Sequence, residues 1–170
     1  MTYKLVLLRH AKSQQGGASD AARELAPRGV KQAGRLAKSF ADAEVKPEIA
    51  LVSTAVRAQQ TWDLAAKGKP KIKCPKESLD ALYEASVSDV LGVLRVVSSR
   101  LQTVVIVGHE PTMAACAAYL AGPGSDETAL AQVKVGVPTA AWSLLESDKP
   151  WVDWGRSSAK LLMVRRPLED

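Results

Sequence analysis

A chain of 170 residues, 46% of them hydrophobic and 24% charged, is long enough to bury a sizeable core, and residues 1–170 read as a single domain. Aromatic residues make up only 5% while alanine, valine and leucine abound, a composition for layers packed through small aliphatic side chains and against a base-stacking platform for single-stranded nucleic acid. The formal charge of +5 draws anionic partners, yet only KGKPKIKCPK (67–76) concentrates it, and such a run reads first as a solvated loop. Cys74 and Cys116 form neither a CxxC pair nor a disulfide framework, which fits a reducing cytoplasm. There is no signal-like amino terminus, and no apolar run reaches the roughly 18 residues of a membrane span, so a cytoplasmic protein with neither membrane nor nucleic acid as partner is expected.

In chain order, YKLVLLR (3–9) is apolar on both alternating faces, as a strand in the middle of a sheet must be. From Arg28 to about Ala43, Val30, Ala33, Leu36, Ala37 and Phe40 recur at helical spacing and give one stripe to cover the sheet, with Pro27 opening the helix and Pro47 beyond its end. EIALVS (48–53) is a second strand, and the helix that follows from about Ala55 to Lys67 has Ser53 or Thr54 as its expected cap. VSDVLGVLRVV (87–97) fits a helix through Val87, Val90, Leu91, Leu94 and Val97. TVVIVG (103–108) is the clearest buried strand; after HEPT comes an alanine-rich helix with Pro111 at its first position. TAAWSLLE (139–146) and AKLLMVRR (159–166) read as strands, with WVDWG between them as a turn or short extended piece. Short aliphatic runs alternate with longer amphipathic segments, without repeat or low-complexity linker, and this predicts an α/β fold with a mostly parallel sheet.

The polar residues at the strand ends fit that architecture. Ligands of open parallel sheets collect outside the carboxyl ends of the strands. The first strand ends in Arg9 and His10, the second leads to Arg57 in the first turn of a helix, and TVVIVG runs into His109. Taken singly, each has an ordinary explanation: an ion pair for Arg9, a strand-edge hydrogen bond for His10, a solvated helix position for Arg57, turn packing for His109. Together they make a constellation suited to an anion, and it contains both histidines of the chain.

Four blocks carry a family resemblance. RHAKS (9–13), LAPRGVKQA (25–33), VSTAVRAQQT (52–61) and VGHEP (107–111) are similar, in this order, to the Arg-His-Gly, LTxxGxxQA, SxxxRAxQT and second-histidine segments of the histidine phosphatase superfamily. The short chain and LYEAS (82–86) resemble the SixA-type phosphohistidine phosphatases in particular. The resemblance implies a three-layer α/β/α sandwich of the phosphoglycerate-mutase-like kind and a metal-independent phosphatase without other cofactors. It implies that His10 attacks phosphorus through a ring nitrogen while Arg9, Arg57 and His109 surround the transferred oxygens. Ser13 corresponds to a hydroxyl that touches phosphate in the family, and a turn hydrogen bond explains it equally well. Glu84 is either the proton donor that ester hydrolysis needs or a surface carboxylate. Glu110 is a helix cap or a catalytic carboxylate, Lys12 a solvated side chain or a charge at the pocket mouth, Cys116 core, and Trp142, Trp151 and Trp154 packing residues.

Ala11 stands where the family has glycine, so its backbone must avoid the glycine-only region. The chain leaves little room for the insertions that form a substrate lid, which implies an open, shallow pocket suited to a phosphorylated side chain on a protein. The expected partner is therefore a phosphohistidine protein, with a small phosphorylated metabolite as the second enzymatic reading. Noncatalytic phosphate binding is the third. The sequence leaves the oligomeric state open.

Overall fold

The computed structural model describes residues 1–168. Six strands, β1 (Tyr3–Arg9), β2 (Ile49–Ser53), β3 (Lys76–Leu79), β4 (Thr103–Gly108), β5 (Trp142–Ser147) and β6 (Lys160–Arg165), form one sheet in the order β3-β2-β4-β1-β5-β6. β3, β2, β4 and β1 are parallel, while β5 runs antiparallel to β1 and β6 antiparallel to β5. The mostly parallel sheet read from the sequence is thus present, with an antiparallel hairpin-like edge.

Side-chain alternation builds the layers. Leu5 and Leu7 of β1 face a core shared with α4 (Val87–Arg95), α5 (Thr112–Leu120) and α6 (Glu127–Val135). Val6 and Leu8 face the opposite core, which takes Leu36 and Phe40 of α2 (Leu36–Asp42) and Trp62 of α3 (Val56–Ala66). Buried aliphatic area on both faces of the sheet is the main favourable term holding the three layers together. Trp142, Trp151 and Trp154 are buried, and the indole N–H groups of the last two donate to the Leu101 and Lys149 carbonyls at 2.7 and 2.8 Å. Cys116 is also fully buried, which pushes its thiol up to about 12.

Several boundaries differ from the sequence reading. The helix expected over 28–43 is two helices, α1 (Pro27–Gly34) and α2, separated at Arg35, whose amide turns back to the Gln32 and Ala33 carbonyls. Gly34 is a weak helix former with open space around it, and apolar periodicity alone does not register a one-residue break. Val30, expected on the buried stripe, is 45% exposed, and the buried face of α1 is formed by Gly29, Gln32 and Ala33. Pro111 is the N-cap of α5 and not its first residue. The segment read as a turn or extended piece between the last two strands contains a 3-10 turn, Trp151–Asp153. β3 and α6 had no strong sequence pattern: β3 is short and mostly exposed, and α6 is started by the Asp126 carboxylate accepting from the Ala129 amide at 2.9 Å. Among the described residues, no helix is long and apolar enough to cross a membrane.

Candidate active site

Strand register brings the two histidines together. β1 and β4 are parallel neighbours with Arg9 opposite Gly108, and the His10 amide donates to the Gly108 carbonyl at 3.0 Å. One residue further on, the rings of His10 and His109 lie 5.2 Å apart between centroids. β2 flanks β4 on its other side, so Ser53 at its end reaches His109, with Oγ 2.8 Å from Nε2. The sequence reading made Ser53 or Thr54 the cap of α3; instead Ala55 occupies the cap position, and Ser53 accepts from the Ala55 amide at 3.3 Å while facing His109.

The segment after β1 is pinned by α1 and α3. The Ala11 amide donates to Thr61 Oγ1 at 2.9 Å, and the same hydroxyl donates to the Arg57 carbonyl at 2.6 Å. The Lys12 amide donates to Gln32 Oε1, and the Lys12 carbonyl accepts from the Ala26 amide, both at 2.9 Å. Here a glycine is required: a Cβ on Gly29 would run into the Lys12 carbonyl, so α1 lies against this peptide only because position 29 has no side chain. Ala11 is fully buried and is not among the residues with positive φ, which explains why alanine is admitted there.

His10 is 7% exposed, and its Nδ1–H donates to the Ala11 carbonyl at 2.7 Å. A carbonyl only accepts, so this contact fixes the tautomer and leaves the lone pair on Nε2. Burial pushes His10 down to about 3; the Ala11 bond opposes this, and His109, Arg57 and Arg9 add to it. His109 is pushed down to about 4, first by burial and then by the Arg57 charge, with Asp20 acting in the opposite direction. Ser53 is fully buried and, among the described residues, its hydroxyl hydrogen has no acceptor other than Nε2 of neutral His109, so it donates there and the ring hydrogen falls on Nδ1.

The arginines are held by their outer nitrogens. Arg57, 6% exposed, donates through Nη1 to the Asp20 carbonyl at 2.8 Å and through Nη2 to Asp20 Oδ2 at 3.1 Å. Arg9 donates through Nη1 to the Val137 carbonyl at 2.8 Å, and burial lowers its pKa against the pull of Glu110. Among the described residues, the buried side-chain polar atoms that find no hydrogen-bond partner are Arg9 Nε, Arg57 Nε and His109 Nδ1. Leaving a buried donor unmatched costs about 1–3 kcal/mol, and three such nitrogens beside His10 offer hydrogen bonds that an anion could accept.

A family model described as the histidine phosphatase superfamily (branch 1) matches residues 5–96. The chain belongs to the histidine phosphatase superfamily. An uncharacterised Mycobacterium tuberculosis protein, Rv1276c, is 36% identical over 163 residues, covering 94% of this chain and 99% of that protein. The structure of a candidate phosphohistidine phosphatase SixA from Nakamurella multipartitia superposes with a TM-score of 0.85 at 26% identity, over 99% of this chain and 98% of that one. Another candidate SixA, from Agrobacterium tumefaciens, gives a TM-score of 0.78 at 26% identity, over 97% and 99%.

Not every residue singled out in the sequence joins the central ring of this histidine phosphatase. Ser13 Oγ accepts from Arg23 Nη1 at 3.0 Å. Glu84 is exposed, with φ of 54°, and lines a cavity of about 240 Å³ together with His109 and Glu110; His10 and both arginines are absent from its walls. Glu110, the residue before the N-cap, takes the helix-capping role of the two expected for it: its Oε1 accepts from the Ala114 amide in the first turn of α5 at 2.7 Å, and its Oε2 accepts from the Val137 amide at 3.1 Å. Lys12 is exposed, in keeping with a solvated side chain. Sequence reading missed Asp20, Arg23, Thr61 and Tyr83, whose contacts with the site cross between separate segments of the chain.

The depressed histidines set a pH dependence of stability in this phosphatase. In the unfolded chain both take up a proton near 6.5, whereas the folded protein resists until about 4 at His109 and about 3 at His10. The unfolded state therefore binds more protons in that window, and stability is full above about 6.5 and falls as pH is lowered. Each histidine contributes a slope of up to about 1.4 kcal/mol per pH unit. Urea unfolding between pH 7 and 5 is expected to show the decline, and a flat profile would contradict the burial of these rings.

Proposed function

We propose that the protein is a metal-independent phosphatase that dephosphorylates phosphohistidine in a partner protein through a phosphohistidine intermediate on His10. The observation that carries this is the set of three buried, unmatched donors, Arg9 Nε, Arg57 Nε and His109 Nδ1, grouped with a histidine whose Nε2 keeps its lone pair. His10 Nε2 attacks phosphorus, a P–N bond forms, and the leaving group departs with its electron pair. Water then displaces His10 from phosphorus and releases orthophosphate. Arg9, Arg57 and His109 donate to the phosphoryl oxygens in both steps, where two guanidinium charges and the N–H of a neutral imidazole act on developing charge. Because His10 is held neutral to about pH 3, the nucleophile is available throughout the physiological range.

Two features support a phosphorylated imidazole as substrate. The chain aligns nearly end to end with candidate SixA phosphohistidine phosphatases, without additional length for a lid. A P–N substrate also carries a nitrogen leaving group that departs without an enzymic acid, consistent with an exposed Glu84 outside the ring of His10 and the arginines. A metabolite monoesterase is the second reading, favoured by the cavity that Glu84 shares with His109. The test is phosphate release, with chelator present, from a phosphohistidine protein and from a panel of phosphate monoesters. Faster release from phosphohistidine is the expected result, and much faster turnover of sugar phosphates would move the assignment to metabolites. In the same assay Glu84→Gln should leave phosphohistidine turnover nearly intact; if Glu84 is a general acid, ester turnover falls by about 10² or more. Equal slowing of both substrates would remove Glu84 from the discrimination.

A further inference from the structure

The segment between Ser13 and Leu25 carries a carboxylate that the phosphoryl chemistry above does not use. Asp20 Oδ2 accepts from the Tyr83 hydroxyl at 2.6 Å and from Arg57 Nη2 at 3.1 Å, and Oδ1 accepts from Arg23 Nε at 3.1 Å. Donors from three segments thus fix its position, although 55% of the side chain is open to solvent. The Tyr83 and Arg57 hydrogen bonds hold it ionised, down to about 2. The Tyr83 ring stands edge-on to His109, 5.8 Å between centroids, so the carboxylate borders the same site. Its charge acts on His109, favouring protonation there.

A fixed anion at the rim of a cationic pocket opposes both a phosphate dianion and an alkoxide leaving group. With a protonated imidazole its effect is reversed. A carboxylate offers about four lone-pair positions. The three donors leave Oδ1 with room for another hydrogen bond. We infer that Asp20 is the specificity-determining residue for phosphorylated imidazole, its carboxylate accepting a hydrogen bond from the ring N–H while the other ring nitrogen departs from phosphorus. This inference rests on the phosphohistidine reading and adds a residue that recognises the leaving group. The step balances without further proton transfer: His10 Nε2 supplies the pair for the new P–N bond, and the pair of the broken bond stays on the departing nitrogen. The substrate ring enters protonated on the nitrogen remote from phosphorus and leaves as neutral imidazole, that N–H held by Asp20 throughout. A monoester has no such N–H, and its leaving oxygen gains negative charge facing the carboxylate.

The probes are phosphoimidazole and p-nitrophenyl phosphate, assayed with the full-length wild type, Asp20→Asn and Asp20→Glu. In Asp20→Asn, the ratio of kcat/KM for phosphoimidazole to that for p-nitrophenyl phosphate is expected to fall by about tenfold or more, as loss of a charge-assisted hydrogen bond implies. Asp20→Glu, which keeps the carboxylate, should retain most of the wild-type ratio and guards against an Asn variant that folds poorly. Equal loss on both probes would reduce Asp20 to a support for Arg57 and overturn the inference. An equal gain on both would make it a barrier to phosphate and overturn the inference as well. If the wild type turns over p-nitrophenyl phosphate but not phosphoimidazole, the phosphohistidine reading itself falls and takes this inference with it; an unchanged ratio on two good substrates removes the inference alone.

Discussion

His10→Ala is expected to abolish turnover of phosphohistidine and monoesters alike, by about 10⁴-fold or more, as loss of a nucleophile does elsewhere. The fold should survive. His10's side-chain hydrogen bond goes only to the carbonyl of the next residue, and its backbone amide, which ties it to β4, is unaffected by the substitution. Removing a ring whose charged form is disfavoured by burial also removes part of the acid sensitivity of the native state. Rapid acid-free quenching of the wild type with labelled substrate should trap phosphate on one histidine, and the variant should trap none. Full activity in His10→Ala would eliminate the proposed intermediate.

Arg57→Lys should be nearly as damaging even though the charge is kept. Arg57 uses two nitrogens to hold Asp20 and retains a third, Nε, for the site. Lysine gathers its donors on one flexible ammonium and cannot face both directions at once. A fall in kcat/KM of about 10² to 10³ is expected, the usual effect of losing one preorganised donor to the transition state. The measurement is steady-state kinetics on phosphoimidazole and p-nitrophenyl phosphate. Activity within a few-fold of wild type on both would mean that charge alone suffices at this position and that the fork has no catalytic role.

The parts of the molecule legible in the sequence are those governed by short-range patterns. β1, β2 and β4 show as aliphatic runs because both their faces are covered, and the residues just past their ends were therefore identifiable as neighbours of a site. β3 pairs with β2 through its backbone while its side chains stay mostly exposed, so its hydropathy resembles that of a loop. Asp20 and Tyr83 are 63 positions apart, and nothing in GGASDAAR or LYEAS announces that they touch. Thr61 lay inside a recognised motif, yet its bond to the Ala11 amide depends on how α3 crosses the end of β1. Glu84 stands out by its resemblance to the family's acidic residue, and neither its exposure nor its positive φ can be read from that.

The central position of β1 also bears on motion. This strand is paired along its length with β4 on one side and β5 on the other, so freeing its amides requires opening the middle of the sheet. Openings of that kind belong to the least frequent fluctuations of a domain, whereas exposed loops open far more readily. His10, the proposed nucleophile, therefore sits at the slow end of the molecule's opening hierarchy. Asp20, on the exposed segment between Ser13 and Leu25, sits nearer the fast end. One wall of the site thus opens only with the centre of the sheet, while the other, tied to it through the contacts of Asp20 with Arg57 and Tyr83, can open without the sheet.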